Sequence, residues 1–162
     1  MTATLHTRHL PDAEATEAFA AALAPHLRAG DTLLLHGPVG AGKTAFARAL
    51  IGTLQRAAGL VPEDVPSPTF TLVQTYRTGA FDTWHADLYR LGGPDGVVEL
   101  GLDEAFAEAL CLVEWPDRLG ADRPAGAVDV TLAATADDGR DLTMTGPVAV
   151  LDRLAPAFAV PA

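Results

Sequence analysis

The chain has 162 residues, a mass of 16.8 kDa, 49% hydrophobic residues and a formal net charge of −10. This length predicts one domain over residues 1–162. The excess of acidic over basic residues, 21 against 11, disfavours extensive direct contact with nucleic acid or with an anionic membrane, because both draw on clustered cations. No signal-peptide core and no membrane-spanning apolar stretch is evident, so we expect a cytoplasmic protein.

The first third of the chain predicts a helix, a strand, a glycine-rich turn and a second helix. Apolar residues at steps of four, with acids early and basic residues late, predict an amphipathic helix over 12–28. The apolar run 32–36 is too short for a helix and predicts a buried strand. After the turn, residues 44–58 place apolar side chains on one helical face before Gly59.

The middle of the chain predicts a hairpin and a short helix. A proline-rich loop over 60–68 precedes alternating apolar and polar residues at 70–77 and 83–89, which predict two paired strands. The glycine cluster at 92–96 predicts a loop. Helical spacing then follows over 102–109.

The last third predicts mainly strands. Residues 110–113 form an apolar run typical of a buried strand. Segments 127–133 and 140–145 flank Asp138-Gly139, a favoured hairpin turn, and 148–158 suit a last helix. Interleaved helices and strands followed by clustered strands predict an α/β fold, with a mixed central sheet flanked by helices in three layers.

The strongest motif is the glycine-rich turn GPVGAGKT, which matches the phosphate-binding pattern GxxxxGK[ST] between a predicted strand and helix. Its glycines let successive backbone amides converge on an anion, as in P-loop NTPases. Lys43, the only lysine, suits the β- and γ-phosphates, and the Thr44 hydroxyl suits the magnesium that they share. The predicted nucleotide-binding residues of this loop are Gly37, Gly40, Ala41, Gly42, Lys43 and Thr44.

A P-loop enzyme also needs carboxylates for the metal or the attacking water. Glu114 ends one predicted strand and Asp87 ends another, so both are candidate catalytic and metal-binding residues. From the pattern alone, each also suits a surface carboxylate or a structural ion pair. His85 shares a strand face with Asp87, but a third clustered ligand is missing and zinc is disfavoured.

The segment PSPTFT at 66–71 lies where P-loop switch proteins place a hydroxyl that senses the γ-phosphate. Thr69 is the first candidate and Ser67 the second. The two prolines also suit a turn that is simply rigid.

Five segments between residues 36 and 119 occur in a characteristic order: HGPVGAGKT, PSPTFTLVQTY, HADLYRL, ELGLDEAF and LVEWPDRL. With these segments the chain resembles the bacterial TsaE family of small P-loop ATPases. The last four segments are more specific than the P-loop itself. The chain beyond about Gly120 carries no comparable signature.

The resemblance implies an accessory ATPase, with ATP and Mg²⁺ as cofactors, for the threonylcarbamoyladenosine modification at position 37 of tRNA. It implies the partners TsaD, which transfers the threonylcarbamoyl group, and TsaB, with tRNA reached only through their complex and no membrane involved. It implies phosphate and magnesium ligands at Lys43 and Thr44, and a switch-like residue at Thr69. It also implies an acidic site residue at Asp87 and completion of the site by Glu114 with Trp115. Which acid holds magnesium and which orients water stays open.

Three alternatives belong to other functional classes. A GTPase would need an Asn/Thr-Lys-x-Asp motif, but the chain has no asparagine and its one lysine lies in the P-loop. A small-molecule kinase shares the P-loop, yet usually carries several lid arginines, whereas the ten arginines here are scattered. A nucleotide-dependent interaction module without significant catalysis of its own is the third alternative.

Overall fold

The computed structural model describes residues 2–91 and 95–160, which form a seven-stranded sheet with helices on both faces. The predicted α/β fold with a mixed central sheet is confirmed. The strands are β1 (Thr2–Leu10), β2 (Thr32–His36), β3 (Val73–Arg77), β4 (Asp82–Asp87), β5 (Leu110–Glu114), β6 (Val128–Ala134) and β7 (Arg140–Pro147). The α-helices are α1 (Ala13–Leu23), α2 (Lys43–Ala57), α3 (Asp95–Glu99), α4 (Leu102–Glu108), α5 (Val148–Leu154) and α6 (Pro156–Ala159).

The strands lie in the order β1-β7-β6-β2-β5-β4-β3. Neighbours among β6, β2, β5 and β4 pair in parallel, whereas β1–β7, β6–β7 and β3–β4 pair antiparallel. The central strands β2 and β5 are almost entirely buried. Their continuous apolar sequences follow from burial on both faces of the sheet.

Each face of the sheet packs against its own set of helices. Leu33 and Leu35 of β2 belong to a core with side chains from α1, α2, α5 and α6. Leu34, between them, belongs to a second core with Val97 of α3 and Leu102 of α4. Successive side chains of a strand point to opposite faces, so one short strand supports both cores. Among the described residues, none of these helices is both long and apolar enough to cross a bilayer.

The first helix is shorter than predicted. The Asp12 side chain accepts a hydrogen bond from the Ala15 backbone N–H at 2.8 Å and caps α1. The α-helix ends at Leu23, and Ala24–His26 continues as a 3₁₀ turn that contains Pro25. Proline has no backbone N–H to donate, and its ring obstructs the preceding turn. The apolar spacing alone therefore overestimated the length of the helix.

Two predictions in the middle of the chain are wrong in detail. The first hairpin strand begins at Val73 and not at residue 70, because Leu72 adopts a left-handed backbone conformation with φ 68°. Residues 92–94 of the predicted loop lie outside the described residues, and α3 occupies the rest of it from Asp95. A Cβ on Gly96 would lie 2.3 Å from Leu91 Cδ1, so glycine at this position leaves room for the Leu91 side chain beside α3.

Both predicted hairpins are confirmed. β3 and β4 pair antiparallel and are joined by residues 78–81. β6 and β7 also pair antiparallel, and the turn between them contains Asp138, which has φ 65°. Strand β1 was not predicted, because its alternation of apolar and polar residues is weak. It forms the sheet edge beyond β7, where an edge strand needs few apolar side chains.

His9 connects β1 to the second hairpin. Its ring nitrogens lie 2.8 Å from Asp141 Oδ1 and 2.9 Å from Asp137 Oδ2. The hydrogen bond to Asp141, and next that to Asp137, raise the pKa of His9 above 6.5. A group whose pKa is raised in the folded state adds stability below its unfolded pKa and loses it as pH rises through the folded pKa.

We therefore expect His9→Gln to lower the melting temperature most below about pH 6.5, with the difference from the wild type shrinking at higher pH. Thermal unfolding between pH 5.5 and 9 measures this difference. His26→Gln is the matched control, because among the described residues the His26 side chain forms no ion pair with a carboxylate. A pH-independent difference for His9→Gln would contradict the prediction.

Candidate nucleotide-binding site

The P-loop connects the end of β2 at His36 to the start of α2 at Lys43. Gly37, Gly40 and Gly42 have φ values of 146°, 83° and 99°, which favour glycine. A Cβ on Gly37 would also lie 2.7 Å from the Leu132 carbonyl oxygen and 2.9 Å from Ala41 Cβ. The loop is therefore wound tightly at its start, with α2 directed away from it.

Lys43 is buried beside the loop. Its Nζ donates a hydrogen bond to the Gly37 carbonyl oxygen at 2.6 Å and lies 3.8 Å from the centroid of the Trp115 ring. Burial lowers the pKa of Lys43, while the charges of Glu114 and Asp87 act in the opposite direction. The ammonium group is thus held in a poorly hydrated site with carboxylates nearby, where an added phosphate would gain a strong partner.

Thr44 and Glu114 are in direct contact. The Thr44 hydroxyl donates to the Glu114 carboxylate, with distances of 3.1 Å to Oε1 and 3.0 Å to Oε2. Glu114 is only 3% exposed. The second residue of α2 and the last residue of β5 therefore form one polar unit at the base of the P-loop.

Asp87 is the other buried carboxylate of the site. Its Oδ2 accepts hydrogen bonds from Ser67 Oγ at 3.3 Å and from Thr69 Oγ1 at 3.4 Å, and its Oδ1 accepts from the Tyr89 backbone N–H at 3.0 Å. The Ser67 and Thr69 hydroxyl oxygens are 2.9 Å apart. The structure thus joins the predicted switch-like segment to the predicted acid, and Ser67 contributes as well as Thr69.

Strand register brings the two acids together. Asp87 of β4 lies opposite Glu114 of β5, and Leu35 of β2 lies opposite Glu114 on the other side. All three strands are parallel, so their carboxyl ends meet at one edge of the sheet, where α/β folds bind ligands. The P-loop leaves β2 at this edge.

A cavity of about 500 Å³ opens there. Eight predicted site residues line it: Gly40, Gly42, Lys43, Thr44, Thr69, Asp87, Glu114 and Trp115. Gly37 lies instead on a neighbouring cavity of about 270 Å³, and Ala41 on another of about 190 Å³. Val39, Ala45, Ser67 and Tyr89 complete the lining of the main cavity.

The sequence did not predict two contacts near the site, one made by Arg140 and the other by His85. Arg140, the first residue of β7, donates from Nε to the Ala41 carbonyl oxygen and from Nη2 to that of Gly40, both at 2.8 Å. His85 Nε2 lies 2.6 Å from Glu114 Oε2. His85 lies in the HADLYRL segment, which was a usable signal, whereas nothing around Arg140 indicated that the hairpin reaches the P-loop.

The donor set suits a nucleotide with magnesium. Mg²⁺ prefers oxygen ligands, takes few of them from protein and relies on phosphates and water for the rest. Thr44, Glu114 and Asp87 offer hydroxyl and carboxylate oxygens at the cavity. Within residues 2–91 and 95–160, His, Cys, Asp and Glu side chains form no cluster of three or more that could hold a metal by itself.

Comparison with known proteins identifies the family. The family model described as "Threonylcarbamoyl adenosine biosynthesis protein TsaE" matches residues 10–142. The chain belongs to the TsaE family.

Two curated tRNA threonylcarbamoyladenosine biosynthesis proteins TsaE are similar to it. The one from Rickettsia bellii is 39% identical over 132 residues, which cover 82% of this chain and 89% of the relative. The one from Bacillus subtilis is 37% identical over 134 residues, with 82% and 80% covered.

A solved structure has the same fold. The crystal structure of Bacillus subtilis YdiB superposes with a TM-score of 0.77 at 29% sequence identity, covering 98% of this chain and 96% of that one. The likeness extends beyond Gly120, where no sequence signature was found. The expected family and fold are therefore confirmed, whereas the roles of the individual site residues stay predictions.

Two of the three loop glycines, Gly37 and Gly40, allow a matched test of the loop geometry. Gly40→Ala places a Cβ where no atom lies within 4 Å, so only its positive φ is strained and we expect a loss of about 1–2 kcal/mol. Gly37→Ala adds the clash with Leu132 and Ala41, and we expect about 3 kcal/mol or more. Urea unfolding without nucleotide measures both, and equal losses would contradict the packing described for Gly37.

Proposed function

We propose that this TsaE-family protein binds ATP with Mg²⁺ and hydrolyses it to support threonylcarbamoyladenosine modification of tRNA. The observation that carries the proposal is the Thr44–Glu114 hydrogen bond at the base of a P-loop cavity that also contains Lys43 and Asp87. In P-loop NTPases a hydroxyl of the loop and a nearby carboxylate hold the Mg²⁺ that takes part in phosphoryl transfer.

Each loop group would have a separate task. The amides of the loop and the start of α2 would bind the phosphate oxygens. Lys43 would exchange its bond to the Gly37 carbonyl for the β- and γ-phosphates, which are the stronger acceptors. Bound magnesium would neutralise charge that develops on the phosphates. Arg140 would hold the loop from behind, because it already occupies two of the loop's carbonyl oxygens.

The contacts favour different roles for the two acids. Glu114 accepts a hydrogen bond from Thr44, the expected magnesium ligand, and this contact supports a role for Glu114 beside the metal. Asp87 is joined to the hydroxyls of Ser67 and Thr69, at the side where a γ-phosphate would be sensed. We infer that Glu114 positions the metal and its water ligands, and that Asp87 orients the attacking water.

The cavity supports the expectation of a protein partner, for which we propose TsaD with TsaB. Val39 and Tyr89 line it and are 86% and 53% exposed. Phe70, which directly follows Thr69, is 80% exposed, and the Arg90 guanidinium lies 4.6 Å from the centroid of its ring. Apolar exposure beside a polar site suits coverage by another protein. The net charge of −10 favours contact with tRNA through that partner.

We expect Lys43→Ala and Glu114→Gln each to lower partner-stimulated ATP turnover by about 100-fold or more, because each removes a group that stabilises charge at the phosphates or the metal. Thr44→Ala should also lower this turnover, whereas Thr44→Ser keeps the hydroxyl and should retain most of the activity. Asp87→Asn should also lower turnover, because Asp87 is proposed to orient the attacking water. Phosphate release in the presence of TsaB and TsaD measures all five variants. Full turnover by Asp87→Asn and Glu114→Gln would contradict the site.

Reconstitution tests the function itself. Purified TsaD and TsaB with tRNA and the threonylcarbamoyl donor should give multiple-turnover modification only when this protein and ATP are both present. ADP and phosphate should be the only products from ATP, and a phosphorylated small molecule would instead indicate the kinase alternative. An unchanged yield of modified tRNA without this protein would overturn the proposal. Modification that needs ATP binding but no hydrolysis would favour the interaction module.

A further inference from the structure

His85 is a buried polar residue with an uneven set of contacts. It is fully buried in β4, and its Nε2 lies 2.6 Å from Glu114 Oε2. Its Nδ1 has no hydrogen-bond partner among residues 2–91 and 95–160. An ionised carboxylate only accepts hydrogen bonds, so Nε2 donates and carries the proton.

The sheet register places His85 beneath the cavity. His85 and Asp87 are two residues apart on β4 and share one face of the sheet. Asp87 lies opposite Glu114, and His85 lies opposite Leu112, two residues further from the carboxyl edge. His85 is not among the residues that line the cavity. Among the described contacts, the hydrogen bond to Glu114 is the one that joins the His85 side chain to a residue lining the cavity.

A space-filling role does not explain a histidine at this position. An apolar side chain would fill a fully buried position without leaving a buried ring nitrogen unpaired, which is unfavourable. What the imidazole adds is a donor to one particular oxygen of Glu114. Among the described contacts, Oε2 accepts from both His85 and Thr44, whereas Oε1 accepts from Thr44 alone.

We propose that His85 is a positioning residue that anchors Oε2 of Glu114 and thereby leaves Oε1 available at the cavity. For its catalytic consequence this inference rests on the proposed ATPase function, but the anchoring itself does not. Removal of a side chain that hydrogen-bonds to a metal-binding group commonly lowers metal affinity or activity by about 10–100-fold.

Two amide variants separate the role of each ring nitrogen. In His85→Gln the amide nitrogen can take the place of Nε2 and keep the hydrogen bond to Glu114, whereas in His85→Asn it takes the place of Nδ1 and cannot reach. His85→Leu removes both and serves as the second variant if His85→Asn does not fold. Melting temperatures without nucleotide show which variants are folded.

Crystal structures without nucleotide or metal test the anchoring directly. We expect the Glu114 carboxylate to keep its wild-type orientation and its Thr44 contact in His85→Gln, and to rotate in His85→Asn or His85→Leu. An unchanged Glu114 in every variant would overturn the proposal, whatever the protein does with ATP.

Calorimetry and turnover test the consequence. For His85→Asn we expect ATP binding without Mg²⁺ to stay within about twofold, and the Mg²⁺-dependent gain in affinity and the stimulated turnover to fall about 10–100-fold, with His85→Gln close to wild type. In a Glu114→Gln background, His85→Asn should lower the Mg²⁺-dependent gain in affinity and the turnover by less than about twofold further. Equal losses in both backgrounds would indicate a packing role and overturn the proposal. A wild type that neither gains affinity from Mg²⁺ nor hydrolyses ATP would instead refute the proposed function.

Discussion

The site depends on the parallel pairing of β5 between β2 and β4. This pairing sets Glu114 opposite Leu35 on one side and Asp87 on the other, and so brings two distant acids to the loop that leaves β2. A slip of one residue would turn every side chain of β5 to the opposite face. Burial of both sheet faces under helices prevents such a slip, because apolar side chains of β5 belong to both cores. The packing of the core therefore sets the geometry of the polar site.

The same burial makes the site electrostatically interdependent. Lys43, Asp87 and Glu114 are each no more than 5% exposed, and isolated charges at such positions would be unfavourable. Their mutual attraction and hydrogen bonds offset that cost. Trp115 packs beside these three residues, with its ring against the Lys43 ammonium and 4.9 Å from the ring of Tyr89. Its backbone adopts a left-handed conformation with φ 56°, which costs about 1–2 kcal/mol. Strain of this kind is typical of functional sites.

Sequence patterns predicted the parts of the fold that depend on local spacing. The strands β2 and β5, the helix α2 and both hairpins follow from apolar period and turn residues, and the P-loop follows from its glycines. The patterns failed in three places, of which one depends on a distant contact. The edge strand β1 depends on pairing with β7. The end of α1 depends instead on Pro25, which outweighs the apolar repeat, and α3 begins within a glycine-rich segment that predicted a loop.

The sequence by itself determined the family, the phosphate-binding loop and the two candidate acids, because each is carried by residues close together in the chain. Tertiary structure decided which groups meet. Glu114 bonds to Thr44 and His85, Asp87 to Ser67 and Thr69, and Arg140 to the P-loop carbonyls. These contacts join segments up to a hundred residues apart. No local pattern encodes them, since they result from strand order and register, which are set by burial of the whole sheet.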